Sequence, residues 1–591
     1  MRKNMPRAGR NFFVSWRASL LIILVFIIAG GIIARLFLIQ IKKGGFYDKL
    51  AQGQQQVLQS LTAQRGDIFI QDRYKNMEIS TLGNKNTKNY FIVATNRTYQ
   101  MLYAVPKDIQ EKDRAIKEIS VILNQPEADI AAKINKPNDP YEPIAHKLTD
   151  EQADKIKALK IKGLFLSPEN WRYYPAGKLM SNVLGFVSAI GDKNQQIGQY
   201  GLEEYFQKSL SGESGFMEAA KDAIGRMIFS GDYDLEPARN GDSLVLTIDQ
   251  NIQFMAEKEL MDVVEKWQAE SGTAIVMDPK TGKILAIANL PDFDPNEYSK
   301  VEKQETFMNP AIQDVYEPGS VMKPITMAAG LDTKKISPET TFTDQGILKI
   351  GGYTVTNAAE RIYGVCTMTK VLEKSINTGA VFVERMVGPD VFREYVEKFG
   401  FMESTGIDLS GEVVGKTSNL KKGAPEINFA TASFGQGISV TPISLISALG
   451  VIANDGKLMK PYLVEKIIHA DGTESTIGPE VKRQVISPQA ASQLTSMLVS
   501  TVKNGYDKVK LKGYYVAGKT GTAEIPQGGS YDTGEFIHTF VGWAPAYNPK
   551  FIILLKMDKP RGINFASDSL SPVFGNLAKY LLSYYEIPPE E

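Results

Sequence analysis

Glu317-Pro318-Gly319-Ser320-Val321-Met322-Lys323-Pro324 leads straight into the apolar run Ile325-Thr326-Met327-Ala328-Ala329-Gly330-Leu331. Ser320 and Lys323 stand three residues apart, which puts both side chains on one face of an α-helix and stacks them more closely still in a 3₁₀ turn. Pro324 favours the tight turn, because it has no N–H to give the Ser320 carbonyl and its fixed φ suits the start of a helix. A lysine beside a serine hydroxyl points to acyl transfer by a serine nucleophile with a lysine base. Two further runs fit the same chemistry, Ser375-Ile376-Asn377 and Lys519-Thr520-Gly521-Thr522.

Each motif then has a task. Lys323 must be neutral to take the Ser320 proton, and burial beside a second cation, with Lys519 as the candidate, pushes a lysine that way. Ser375 would relay a proton between the lysines and the leaving group, and Asn377 would hold a substrate amide. Gly521 would let a substrate backbone approach the Lys519 strand as an added strand, while Thr520 and Thr522 offer hydroxyls to a carboxylate. The backbone amides of Ser320 and Thr522 are the candidate oxyanion hole.

Weaker copies of these signals occur and are set aside on context. Ser418 and Lys421 repeat the serine–lysine spacing in a polar, loop-like stretch, and Lys280-Thr281-Gly282 repeats the third motif in a turn. Residues 513–520 match a phosphate-loop pattern, but Tyr514, Tyr515 and Val516 favour a strand, and Gly521 and Pro526 discourage the helix such a loop must open. Cys366 is the sole cysteine, so no intramolecular disulfide forms; it reads as a small buried hydrophobe. The three histidines, His146, His469 and His538, are scattered without metal-like spacing. A histidine brought to the serine by folding is the alternative to a lysine base.

With 67 basic and 67 acidic residues in 591, the chain lacks the charge footprint of a nucleic-acid binder, and 43% hydrophobic content supports real cores. Neither nucleic acid, nucleotide, metal nor cofactor is expected. Residues 18–34 are uncharged and mostly apolar, covering roughly 26 Å at helical rise, and residues 36–39 extend the run toward the ~30 Å hydrocarbon core. Arg2, Lys3, Arg7, Arg10 and Arg17 precede it with no acidic residue, which places the N-terminus in the cytoplasm and the chain after about residue 44 outside it. A cleaved signal peptide is the alternative, but the apolar run is long and has no convincing cleavage site. Gly30 and Ala34 form a small-x-x-x-small pair, a face on which another membrane helix could pack.

Residues 42–240 read as a mixed region of short strands and helices with no catalytic cluster. Residues 241–591 begin with a strand at 241–248, a helix over 251–269 and a hairpin through 272–289. Strands return at 514–517, 536–543 and 551–557 around a largely helical middle. The expectation is an α/β (α+β) fold, its largely antiparallel sheet flanked by helices, behind a mixed pedestal and an N-terminal anchor. The organisation expected is a tail at 1–17, the anchor at 18–41, the pedestal at 42–240 and the catalytic domain at 241–591.

The three motifs in this order and spacing resemble those of penicillin-binding proteins and serine β-lactamases. Arg65-Gly66-Asp67-Ile68 with Asp72-Arg73, Gly201-Leu202-Glu203, Leu246-Thr247-Ile248-Asp249 and Gly435-Gln436-Gly437 extend the resemblance over nearly the whole chain, to the class B penicillin-binding proteins. That resemblance implies a membrane-anchored D,D-transpeptidase that crosslinks peptidoglycan stem peptides, takes β-lactams on Ser320, and works beside a SEDS-family glycan polymerase and other division membrane proteins. Ser15-Trp16-Arg17 before the anchor and the short tail to Glu591 look most like the division type, with the elongation type as runner-up. A carboxypeptidase or β-lactam hydrolase, and a catalytically silent scaffold, are the other classes considered. Ile376 departs from the Ser or Asp that other members carry.

Overall fold

The computed structural model describes residues 26–31, 35, 37, 56–61, 63–72, 77–81, 84–88, 90–137, 139–190, 195–220, 234–525 and 534–590. The anchor expected at 18–41 lies mostly outside these residues; of it, 26–31, 35 and 37 are helical. Among the described residues no helix is long and apolar enough to cross a membrane. The chain forms two compact units, Met1–Ala63 with Glu213–Arg239, and Gln64–Gly212 with Asn240–Glu591. In the first, Gln56–Leu61, Gly215–Ala220 and Asp234–Glu236 make an antiparallel sheet.

In the second unit, the strand Ile68–Gln71 pairs in parallel with Ser243–Asp249 and antiparallel with Tyr90–Ala104, so one sheet draws on residues either side of 240. Tyr90–Ala104 goes on to pair with Glu142–Leu148 and Leu164–Tyr173. The helices Lys112–Leu123, Glu127–Ile134 and Asp150–Leu159 pack on this part through Ile116, Ile119, Ile130, Ile134 and Ile156. Two motifs far apart in sequence meet here. The fully buried Glu203 carboxylate pairs with Arg65 at 2.6 Å and Arg172 at 2.7 Å, and Arg172 also donates to the Gly66 carbonyl. Burial opposes that charge, but the two guanidiniums outweigh it and hold the carboxyl below its usual range.

The C-terminal half is built on five strands: β1 (Ser271–Met277), β2 (Ile284–Leu290), β3 (Ala517–Glu524), β4 (Phe536–Ala544) and β5 (Phe551–Asp558). Their order is β2-β1-β5-β4-β3, each neighbouring pair antiparallel. Strand periodicity sends alternate side chains to two cores. Ile275, Met277, Val541, Trp543, Ile552 and Leu554 face one, with α2 (Lys323–Asp332) and α5 (Pro442–Ala453). Ala274, Val276, Phe540, Ile553 and Leu555 face the other, with α1 (Gln250–Lys266) and α7 (Ala566–Tyr584). α5 is buried on every side, as its unbroken run Pro442-Ile443-Ser444-Leu445-Ile446 implies. Three more helices serve the site: α3 (Met368–Lys374), α4 (Asn377–Val387) and α6 (Pro488–Gly505).

The expected strand at 514–517 begins instead at Ala517 and runs through the whole third motif. Tyr514 and Tyr515 are drawn off by the C-terminal segment: the Tyr514 hydroxyl donates to the Ile587 carbonyl at 2.6 Å, and Tyr515 N–H donates to Glu590 at 3.0 Å. Because Thr520 is mid-strand, no helix opens after it, and the phosphate-loop pattern has no phosphate-loop structure. The second Lys-Thr-Gly copy lies in the β1–β2 turn, where the Asp278 carboxylate accepts from Lys280 N–H and the Thr281 hydroxyl.

Candidate active site

Gly319–Met322 is a 3₁₀ turn whose Ser320 carbonyl accepts from Lys323 N–H, and α2 begins at Lys323 with Pro324 in its first turn. The turn is held from behind by the Gly435-Gln436-Gly437 loop. Gly319 N–H donates to the Gly435 carbonyl at 3.1 Å, and Gly437 N–H donates to Glu317 Oε1 at 3.0 Å. Gly435, at φ +87°, must be glycine: a Cβ there would lie 2.1 Å from the Gly319 oxygen.

Lys323 is fully buried, and its Nζ has four oxygens in reach. The Ser375 carbonyl lies at 2.6 Å and Asn377 Oδ1 at 2.7 Å, both acceptors only; Ser320 Oγ at 3.0 Å and Ser375 Oγ at 3.1 Å can give or receive. A neutral amine fits this set, since two N–H bonds can serve the two obligate acceptors and leave the lone pair to accept from a hydroxyl such as that of Ser320. Burial first, and the Lys519 charge second, hold the Lys323 amine well below the ordinary lysine range.

Ser375 closes α3 in the left-handed region at φ +54°, a conformation that costs a non-glycine residue about 1–2 kcal/mol and concentrates at functional sites. Its hydroxyl thereby sits between the two lysines, 3.1 Å from Lys323 Nζ and 3.0 Å from Lys519 Nζ. Asn377 opens α4. Its Oδ1 receives Lys323, and its Nδ2 donates to the Thr356 carbonyl at 2.8 Å, so both ends of the amide are engaged with the protein. A substrate amide would have to exchange with one of these partners.

Behind Asn377 lies a support that sequence reasoning missed. Asn357 Oδ1 accepts from the N–H groups of Asn377 and Thr378, serving amides that the first turn of α4 leaves unpaired. The buried Asp344 carboxylate accepts from Asn357 Nδ2 at 3.0 Å and from the Thr378 hydroxyl at 2.6 Å. Burial opposes its charge, but hydrogen bonds led by Thr378 and Gly346 N–H hold it below the usual carboxylate range. No motif spacing marks these two residues.

Lys519 lies in β3, the strand at one edge of the sheet, and is 1% exposed; beyond Ser375 its Nζ donates to the Thr520 carbonyl at 3.0 Å. Gly521 has a reason to be glycine besides the one the sequence suggests. A Cβ there would stand 2.8 Å from both the Pro318 oxygen and Val321 Cγ2, so the glycine lets β3 pack on the Ser320 turn. Thr520 N–H turns away from the ladder toward the Tyr506 hydroxyl at 3.4 Å. Backbone groups alternate along a strand, so Thr522 N–H also faces outward, as an oxyanion donor must. The Thr522 hydroxyl accepts from Ala566 N–H at 3.2 Å, and that of Thr520 meets the Tyr506 hydroxyl at 2.8 Å.

The set-aside residues stay outside this cluster. Ser418 and Lys421 are exposed at a surface turn. His146 pairs with Glu169, His469 with Asp242, and His538 Nδ1 with Ser569 on α7. Cys366 is buried, 3.6 Å from the Tyr363 carbonyl, and burial raises its thiol, the reverse of an activated nucleophile. Among the described residues no group of His, Cys, Asp and Glu could hold a metal.

Residues 272–579 match the penicillin binding protein transpeptidase domain, and residues 82–246 the penicillin-binding protein dimerisation domain. Stage V sporulation protein D of Bacillus subtilis is 33% identical over 512 residues, covering 85% of this chain and 78% of that protein. The peptidoglycan D,D-transpeptidase FtsI homolog of Mesostigma viride is 29% identical over 609 residues, 98% of each chain. The crystal structure of penicillin binding protein 3 of Mycobacterium tuberculosis complexed with aztreonam superposes with a TM-score of 0.66 at 26% identity, over 90% of this chain and 98% of that one. With a domain model spanning more than half its length and a relative of this identity over this coverage, the chain belongs to the class B penicillin-binding proteins.

Proposed function

We propose that the protein is a serine D,D-transpeptidase that crosslinks peptidoglycan stem peptides through an acyl-enzyme on Ser320. The observation that carries the reading is the Ser320 hydroxyl 3.0 Å from a buried lysine amine that Ser375 links to a second lysine. Ser320 Oγ attacks the carbonyl between the two terminal D-alanines as its proton passes to Lys323 Nζ. The oxyanion that forms is received by the N–H groups of Ser320 and Thr522. As the C–N bond breaks, the departing amine takes a proton through Ser375, which touches both lysines. Thr520 and Thr522 receive the terminal carboxylate, and Asn377 orients Lys323 and meets a substrate amide. A second stem peptide's amine then attacks the ester and restores the serine. A β-lactam follows the first half: Oγ opens the lactam, and the ring nitrogen takes the proton.

The membrane setting belongs to this proposal. The apolar run at 18–41 and the arginines before it support a single-pass anchor in a bacterial cytoplasmic membrane. The tail at 1–17 lies inside, and the pedestal at 42–240 and transpeptidase domain at 241–591 lie outside. Septal wall synthesis during division, beside a SEDS-family polymerase docked on the Gly30 and Ala34 face, is the favoured setting. Wall synthesis in sporulation is the second reading, favoured by the 33% identity to a sporulation protein.

The test uses the full-length protein in detergent with a fluorescent penicillin and intact-mass analysis. One adduct on the Ser320 peptide is expected, absent in Ser320→Ala and unchanged in Ser418→Ala. A stem-peptide thioester offered with a D-amino acid should give the transfer product as well as hydrolysis. Stoichiometric labelling of a folded Ser320→Ala protein refutes the assignment, and hydrolysis with no transfer moves the enzyme to the carboxypeptidases.

A further inference from the structure

Tyr506 belongs to none of the three motifs, yet its hydroxyl meets the third at three points. It caps the C-terminal end of α6, giving its N–H to the Val502 carbonyl, and is 7% exposed, its ring set edge-on to Phe540 at 6.0 Å. The phenol oxygen lies 2.8 Å from Thr520 Oγ1, 3.4 Å from Thr520 N and 3.4 Å from Lys519 Nζ.

Counting protons settles the direction of the short bond. A phenol has one proton and two lone pairs. Thr520 N–H and Lys519 Nζ–H both donate to it, so they take the lone pairs, long though both contacts are. The phenol proton is left for Thr520 Oγ1. A threonine hydroxyl that receives there has its own proton to give elsewhere, and Thr520 is half-buried in the strand at the edge of the sheet. Without the phenol the hydroxyl rotates between giving and receiving.

We infer that Tyr506 is a positioning residue that commits the Thr520 hydroxyl to donate, so that the site selects ligands ending in a free carboxylate. A carboxylate only accepts, and a donor already aimed at it pays no reorientation. The inference rests on the transpeptidase reading, in which Thr520 faces the terminal carboxylate.

The experiment is a double-mutant cycle on the full-length protein in detergent, with wild type, Tyr506→Phe, Thr520→Val and the double variant. Each is acylated by benzylpenicillin and by its methyl ester. Phenylalanine keeps the ring on Phe540, and thermal melting checks that it does. Tyr506→Phe should slow acylation by the free acid about tenfold, the scale of one hydrogen bond to a charged group, mostly through weaker binding rather than a lower limiting rate. The ester should change by less than about twofold, since it presents no charge to the donor. The double variant should be no slower than Thr520→Val alone. Equal losses on acid and ester, multiplicative losses in the double variant, or no loss at all overturn the inference. A wild type that takes no label on Ser320 overturns the transpeptidase reading, and this inference with it; a wild type that labels while its variants lose acid and ester alike overturns this inference alone.

Discussion

Replacing Lys519 with methionine tests the electrostatic half of the proposed mechanism. Both lysine nitrogens are one hydrogen bond from Ser375 Oγ, at 3.1 and 3.0 Å, so they stand at most about 6 Å apart. Two like charges at that separation repel by roughly 3 kcal/mol at an effective dielectric near 20. At about 1.4 kcal/mol per factor of ten, losing that repulsion should slow acylation at low pH by up to about a hundredfold. The sign follows directly: the Lys519 charge depresses Lys323, so its removal raises Lys323 and moves the acid limb of acylation to higher pH. Methionine keeps the site dry, so the larger cause, burial, is retained. The assay is the second-order rate of penicillin acylation from about pH 5 to about pH 10, where general-base limbs are read. Wild type and variant should diverge most at low pH and converge toward high pH. A gap that is the same at every pH would mean Lys519 only binds ligand, and the coupling argument would be wrong.

Lys323→Ala should slow acylation by about 10²–10⁴-fold, the usual worth of a positioned base, whereas replacing all three histidines should leave the rate within about fewfold; stopped-flow labelling compares the two. Gly521→Ala puts a methyl 2.8 Å from the Pro318 oxygen and Val321, and should cost about 1–3 kcal/mol in denaturant melts while slowing acylation through displacement of the nucleophile turn. Burial holds the His538 imidazole down to about 4, below its ordinary 6.5. The unfolded chain therefore binds this proton more readily, and stability present above about pH 6.5 falls by up to about 3 kcal/mol as pH drops to about 4. His538→Gln should flatten that portion of the curve, and equal acid sensitivity in wild type and variant would remove His538 as its cause.

The nucleophile turn was legible because its information is local. Three-residue spacing and Pro324 dictate a 3₁₀ turn running into a helix, and the structure has both. The sheet was legible at β1, β2, β4 and β5, whose apolar runs are long, and less so at β3, where the strand formers Tyr514 and Tyr515 are captured by the C-terminal segment. What a glycine makes room for cannot be read from its neighbours in sequence, so the close approach of Gly521 to Pro318 left no mark there. Tyr506, Asp344 and Asn357 escaped because they reach the site across folded space: a tyrosine after a helix and an Asp–Asn pair thirteen residues apart have no spacing that announces them. The same holds for the Arg65–Glu203–Arg172 cluster, whose members were singled out in part by resemblance and whose meeting is purely tertiary.

The strand order β2-β1-β5-β4-β3 carries a consequence for biogenesis. The middle position belongs to β5, the last strand of the sheet to be synthesised. Until residue 558 has emerged, the β1–β2 and β3–β4 hairpins have no bridge between them, and each exposes an unsatisfied edge. Pairing across nearly three hundred residues, as between Ser271 and Asp558, also closes slowly. A nascent chain halted between α2 and β5 thus carries Ser320 and Lys323 but no assembled cleft. Penicillin labelling of stalled chains of increasing length should switch on only past that strand.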